Sequence, residues 1–455
     1  MGHATNNERT YRLLQQRLDR TVTGAPDSPT LIKILKLLFR PDEAELARRL
    51  PGRPTELEAL SQKLDMPKEE LREKLTAMAE RGLLLDVQHK GKQYFMLPPI
   101  VVGFFEFTFM RTRDDVPLAE LARLFDQYMR VEDKFARSVF RAETQVGRSL
   151  VREQALPEND HTEILDWERA SHLIKSASML GVGLCPCRHV ASHVGKACDA
   201  PLRVCLSLNY GAEAVIRSGN AERISADEGI RILEECKEAG LAQTGDNVQR
   251  QVTFICNCCG CCCGMMEAVR VFNIRNAIMT SNWIMDVNLE KCRGCGKCAK
   301  ACPVRAITLV GSSSRSTEDA TQLVGSSSGS TEDAPQPRKK QAALDTSLCL
   351  GCGVCYSACK SGAIRMKARP QRTLTPEAIF DRTVQMAIER GRLAEIIFDA
   401  PEKLHHRALG RILSILEKSP PFKAAMAVKP LRSAFLNKML SQAKRDKETQ
   451  RVLSK

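Results

Sequence analysis

Aromatic side chains are scarce in this 455-residue chain: two Trp, five Tyr and fifteen Phe, 5% in all. So small a share fits a helical, cofactor-containing protein better than an all-β one. No apolar run reaches the roughly 18–20 residues that span a bilayer, so no transmembrane segment is expected. The opening stretch MGHATNNERTYRLLQQRLDR is polar and lacks the apolar centre of a secretory signal. A cytoplasmic location is therefore expected. No Gly-x-Gly-x-x-Gly follows a strand pattern and no P-loop occurs, so no nucleotide or flavin cofactor is indicated. Acidic residues are in deficit, 54 against 68 Lys and Arg, for a formal charge of +14. Much of the basic excess lies after Pro401.

Cysteine is abundant instead, with 19 residues. Disulfides are rare in a reducing compartment, and an odd total does not pair off. Metal binding is the better account. Eight of the nineteen fall in two runs, CRGCGKCAKACP (292–303) and CLGCGVCYSACK (349–360), each C-x2-C-x2-C-x3-C. The short spacing lets three cysteines of one loop wrap three irons of a cubane. The fourth stands about one helical turn on and is aimed elsewhere. In the bacterial two-cluster pattern it ligates the other cluster.

Residues 286–310 and 341–368 thus resemble the bacterial-type two-cluster ferredoxins. The resemblance implies two [4Fe-4S] clusters. Cys292, Cys295, Cys298 and Cys359 would hold one, and Cys349, Cys352, Cys355 and Cys302 the other. Gly294, Gly296, Gly351 and Gly353 let the backbone approach the sulfides. Pro303 follows the first run as the pattern expects, whereas Lys360 takes its place in the second. A pair of zinc sites shares the C-x2-C spacing but leaves two complete four-cysteine runs unexplained. Such clusters transfer single electrons. Lys291, Arg293, Lys297 and Lys300 flank the first run. Positive charge there favours the reduced cluster, although each is equally well read as a solvated surface residue.

Between the halves, LVGSSSRSTEDATQ (309–322) is followed by LVGSSSGSTEDAPQ (323–336), a tandem duplication. Its period is too short for a solenoid. Its Gly, Ser and Thr content reads as a flexible insertion, 311–340, without chemistry of its own. Doubling such a loop costs only about 0.6 kcal/mol of closure entropy.

Eleven cysteines lie outside the two runs. Cys236 sits in ISADEGIRILEECKEAGL, a predicted helix with a Ser225/Glu228 capping box, and reads as a structural thiol. The other ten fall in CPCRHVASHVGKACDAPLRVC (185–205) and ICNCCGCCC (255–263). Ten thiols suffice for two further four-iron clusters with two to spare. The expected metal ligands are Cys185, Cys187, Cys198, Cys205, Cys256, Cys258, Cys259 and Cys262, with Cys261 and Cys263 left over. One or two additional iron–sulfur clusters are expected, and zinc is the alternative because thiolate-rich sites also suit it. His189 and His193 stand at i, i+4 but are left out of the ligand set. Arg188 either donates to a thiolate or sulfide or is simply exposed.

The predicted fold is α+β, multi-domain and mostly helical. Its divisions are a polar tail (1–29), a winged-helix-like domain (30–100), a helical connector (101–180), a cysteine-rich metal-site domain (181–285), a two-cluster ferredoxin domain (286–370) and a basic helical C-terminal region (371–455). In the second of these, TLIKILKLLF, TELEALSQKL and KEELREKLTAMAERG read as helices. LLLDVQHKGKQYFML reads as two strands around Lys90-Gly91-Lys92. The layout of winged-helix-like start, CPCR, ICNCC and terminal ferredoxin resembles multi-domain iron–sulfur proteins of anaerobic bacteria and archaea, which implies electron-transfer chemistry.

The function expected is that of an electron-transfer protein serving a partner oxidoreductase, an electron carrier or redox component more than a stand-alone enzyme. The alternatives are a redox-sensing transcription regulator and an oxidoreductase with its catalytic centre at 185–263. A redox partner protein is expected. DNA is less favoured, because Glu69, Glu70 and Glu73 share the third helix with Lys68, Arg72 and Lys74 and mixed charge is poor for approaching phosphates. Peripheral contact with an anionic membrane is open to the basic tail.

Overall fold

The computed structural model describes residues 2–157, 166–311, 340–398, 404–417 and 419–427. Most of the insertion expected at 311–340 and the basic tail after Ala427 lie outside the described residues. Helix predominates over strand, and no helix among the described residues is long and apolar enough to cross a membrane.

The opening segment corrects one expectation. It is no polar tail but a helix, Gly2–Asp19. Tyr11, Leu14 and Leu18 recur at helical spacing and are buried, and the Tyr11 hydroxyl donates to the Phe39 carbonyl at 2.8 Å. The helix packs on Pro29–Leu38 and Pro41–Ala47. Ser28 caps Pro29–Leu38 by accepting from the Thr30 N–H at 3.0 Å, with Pro29 in the first turn.

Two further helices, Leu57–Leu64 and Lys68–Glu80, precede a hairpin of β2 (Leu85–His89) and β3 (Lys92–Met96), to whose edge β1 (Thr55–Glu56) adds. Lys90 and Gly91 both have positive φ, 49° and 74°, as a two-residue hairpin turn with right-handed strand twist requires. Five phenylalanines gather beneath this unit. Phe39, Phe104, Phe105, Phe109 and Phe125 are all buried, with the Phe105 and Phe125 rings 5.1 Å apart.

The middle of the chain builds a six-stranded sheet in the order β4-β8-β9-β6-β5-β7. Its strands are β4 (Gly147–Ser149), β5 (Leu180–Leu184), β6 (Arg203–Leu208), β7 (Glu222–Arg223), β8 (Ala242–Asp246) and β9 (Phe254–Cys258). Every neighbouring pair is antiparallel. β4 comes from the stretch expected as a helical connector and forms one edge. Strand alternation gives the sheet two characters. Val204, Leu206, Leu208 and Ile255 pack into an apolar core with Ile174, Leu233 and Cys236. Cys205, Cys256 and Cys258 therefore face the other side.

The last sheet unit has two halves. One is β10 (Trp283–Val287), the helix Lys297–Ala301 and β11 (Ile307–Val310). The other is β12 (Gln341–Leu344), the helix Val354–Ala358 and β13 (Ile364–Ala368). β10 pairs with β13 and β11 with β12, all antiparallel, and the two helices touch. Each half thus takes strands from the other about a pseudo-twofold axis.

The C-terminal helices begin with Ile379–Arg390. Arg382 there forms a buried ion pair with Asp246 at the end of β8, and Thr144 donates to Glu389 from both its N–H and its hydroxyl. These contacts clamp the region to the sheet.

Candidate metal centres

In the pseudo-symmetric unit each half presents a tight loop before its short helix. Asn288 and Asp345 begin these loops equivalently. The carbonyl of each accepts from the N–H four residues on, that of Cys292 at 3.1 Å and that of Cys349 at 3.2 Å. Gly294 and Gly351 have φ of +64° and +71°, and a Cβ on either would overlap a carbonyl oxygen, that of Lys340 or that of Trp283. Glycine is needed at both for the turn and for the approach of the opposite strand.

Two cavities result. One is lined by Cys292, Cys295, Cys298 and Cys359 together with Val287 and Ile364. The other is lined by Cys302, Cys349, Cys352 and Cys355 together with Met285 and Met366. The fourth cysteine of each run thus faces the cavity built by the other run. The Ala306 N–H donates to Cys302 Sγ at 3.2 Å, and Ser361 Oγ lies 3.4 Å from Cys359 Sγ. Burial pushes the Cys352 thiol up to about 12 and drives Cys355 higher as well. Bare thiolates are disfavoured there, and a polycationic core would reverse that preference. Four thiols, an apolar wall and backbone N–H donors fit a cubane at each cavity.

The other cysteine-rich region is assembled on the thiol face of the six-stranded sheet. Thr244 lies opposite Cys256 and Ala242 opposite Cys258 in the β8–β9 register. Thr244 Oγ1 is 3.2 Å from Cys258 Sγ. Cys205, Cys256, Cys258, Cys263 and Cys187 lie close enough in succession for each to shift the pKa of the next. Cys187 enters this group from the first turn of the helix Pro186–His193, with Cys185 at the position just before that helix. A second group lies beside it. The sulfurs of Cys198, Cys259, Cys261 and Cys262 are all within 4.8 Å of one another. Cys261 and Cys263, left over in the sequence reading, therefore stand among the thiols. Cys236 is buried in the apolar core.

The flanking residues divide clearly. His189 is buried, its Nδ1 2.8 Å from the Phe109 carbonyl and its ring against Phe109, so it serves packing. Arg188 is 1% exposed and donates to the Asn257 carbonyl at 2.6 Å. Burial works against its charge, but Cys185 and Cys259 hold its pKa up. Arg130 pairs with Glu267 at 3.2 Å and donates to the Cys262 carbonyl. No local motif marks Arg130, more than a hundred residues upstream of the thiols it supports.

Residues 291–363 match the family model described as the 4Fe-4S dicluster domain. This part of the chain is a ferredoxin-like iron–sulfur domain. No curated protein and no solved structure matches the chain.

The ferredoxin-like domain abuts the cysteine-rich loop directly. A Cβ at Gly260 would lie 2.9 Å from the Pro303 carbonyl oxygen and 3.1 Å from its Cα. Gly260 divides the cysteine-rich loop, and Pro303 follows Cys302. Arg152 makes a second junction. Its N–H donates to the Cys352 carbonyl at 3.1 Å, while its guanidinium reaches the Leu241 carbonyl at 2.9 Å and Ser357 Oγ at 2.5 Å. It ties the second cavity to the end of the helix Ala226–Glu238 beneath the sheet. Sequence gave no signal for it.

Proposed function

We propose that the chain is an electron-transfer protein in which the ferredoxin-like domain exchanges electrons with a metal centre on the thiol face of the sheet, and through it or beside it with a partner oxidoreductase. Cys292, Cys295, Cys298 and Cys359 would hold one four-iron cluster, and Cys302, Cys349, Cys352 and Cys355 the other. Bound there, such clusters supply single-electron transfer. The chain's own residues exclude water through Met285, Val287, Ile364 and Met366, and donate N–H groups to the sulfurs. Lys291, Arg293, Lys297 and Lys300 are exposed around the first cavity, where Cys295 also reaches the surface. That basic rim suits an acidic redox partner.

The observation that carries this reading is the contact of Gly260 with Pro303. It leaves no solvent layer between the cysteine-rich loop and the backbone beside Cys302. Cys187, Cys256, Cys258 and Cys263, with Cys185 and Cys205 at hand, are the donors we assign to the centre on the thiol face.

We read helices 57–64 and 68–80 with the β2–β3 hairpin that follows them as a winged-helix-like unit. A DNA-binding use finds less support, since Arg72 pairs with Glu69 and Lys74 pairs with Glu70 at 2.8 Å. The cations of the third helix are neutralised on their own surface. We assign this unit a docking or structural role and place the chain in the cytoplasm as part of a larger anaerobic redox system.

Anaerobic purification with iron and sulfide analysis tests the reading. At least eight irons per chain are expected, with EPR signals from interacting reduced clusters. A chain carrying zinc alone would end it.

A further inference from the structure

The ten central thiols are not equivalent. Cys198, on the loop after the helix Pro186–His193, meets Cys259, Cys261 and Cys262 from the loop after β9. Their sulfurs all lie within 4.8 Å of one another. Cys261 and Cys262 are 3.4 Å apart, and Cys198 and Cys262 are 3.9 Å apart. No other set of three or more Cys, His or acidic residues closes up this tightly among the described residues, and this holds for both ferredoxin-like cavities.

Spacing decides what such a set can hold. Four thiolates on one tetrahedral ion, with metal–sulfur bonds of about 2.3 Å, stand about 3.8 Å from one another. In a cubane each thiolate takes a different iron and points away from the cube. The four sulfurs then stand much further apart. The observed cluster has the dimensions of the first case. We propose that Cys198, Cys259, Cys261 and Cys262 form a closed, mononuclear tetrahedral zinc site, separate from every iron–sulfur centre of the molecule.

The surroundings agree. Four thiolates on a dication carry a net charge of −2, and the buried Arg188 lies beside Cys198 and Cys259 to offset part of it. The Cys262 N–H donates to Cys259 Sγ at 3.4 Å, the kind of outer bond that orients a thiolate ligand. Thiolate sites bind Zn²⁺ more tightly than Fe²⁺. With four protein ligands the ion has no open position, so the role is structural. It would pin the loop carrying Cys198 to the loop that meets Pro303. The other six thiols, Cys185, Cys187, Cys205, Cys256, Cys258 and Cys263, stay together for one further centre on the sheet face.

The test uses the full chain, purified anaerobically from cells grown with both iron and zinc. One zinc per chain is expected, with an X-ray absorption shell of four sulfurs at about 2.3 Å. The Cys198→Ser/Cys261→Ser pair should lose that zinc and keep its iron and EPR signals. Because the double variant could misfold, Cys261→Ser alone provides a second arm. Its thiol is exposed, and zinc release to a chromogenic chelator should quicken on the order of 10-fold or more. Wild type without stoichiometric zinc, a shell containing nitrogen or oxygen, or a double variant that loses four irons instead would each overturn the proposal. None of these outcomes depends on whether the ferredoxin-like domain carries its eight irons, so the two readings fail separately.

Discussion

Gly351 shows how little freedom a single residue has beside the second cavity. Its φ of +71° is strained for any side chain, and an added Cβ meets the Trp283 carbonyl. Trp283 begins the strand that pairs with β13, so relief would have to part the two halves of the domain. Gly351→Ala is expected to lose about four irons per chain, as measured by iron analysis, because the loop bearing Cys349 and Cys352 must move away. Full iron content in that variant would show that the approach is not needed. The C-x2-C-x2-C-x3-C spacing already displayed these eight cysteines and the glycines between them. It could not display Arg152 or Arg130, whose contacts cross 205 and 132 residues of chain respectively. A guanidinium that acts at such range leaves no local pattern.

Among the elements, the hairpin β11–β12 explains how the chain tolerates its duplicated insertion. Val310 pairs directly with Gln341, so the segment between them begins and ends at adjacent points. Replacing 311–340 by a two-residue Asn-Gly turn is expected to leave iron content and EPR unchanged and to shift the melting temperature little, since loop length enters only logarithmically. A loss of iron would mean that the segment contributes to the first cavity. The helix Ala226–Glu238 carries another expectation. Ser225 Oγ accepts from the Glu228 N–H at 3.1 Å, which is one of the two bonds of the capping box read in sequence. Ser225→Ala should destabilise the unit by about 1 kcal/mol, seen as a lower denaturation midpoint with unchanged iron. Helices 57–64 and 68–80 and the turn at Lys90-Gly91 were legible from apolar spacing and turn chemistry. The helix Gly2–Asp19 was not read, because its buried apolar residues Tyr11, Leu14 and Leu18 are outnumbered by polar neighbours in the sequence.

The whole molecule depends on how its units meet. Gly260 against Pro303 joins the cysteine-rich loop to the ferredoxin-like domain, and Arg152 spans the same boundary. Gly260→Val would force the two apart. It is expected to keep its metals while electron equilibration between the ferredoxin-like domain and the thiol-face centre slows at least several-fold in stopped-flow reduction. Unchanged rates with unchanged metals would rule out this contact as the route. The C-terminal region is part of the same assembly. Arg382 reaches Asp246, which is only 1% exposed. Arg382→Leu should cost about 3–5 kcal/mol, read by denaturation, because it strands a buried carboxylate.

By itself the sequence determined the chemistry of the ferredoxin-like domain. Cluster ligation there is a matter of spacing within two short runs, and spacing is written in the chain. The pairing of each fourth cysteine with the other run came from that pattern too, and Cys359 and Cys302 each line the cavity of the other run. Only the tertiary structure divided the ten central thiols. Neighbours in sequence such as Cys262 and Cys263 go to different groups, and Cys198 joins residues more than sixty positions away. Alternation along β9 and the return of the loop after it set which sulfurs meet, and that choice arises only when six strands from distant parts of the chain align.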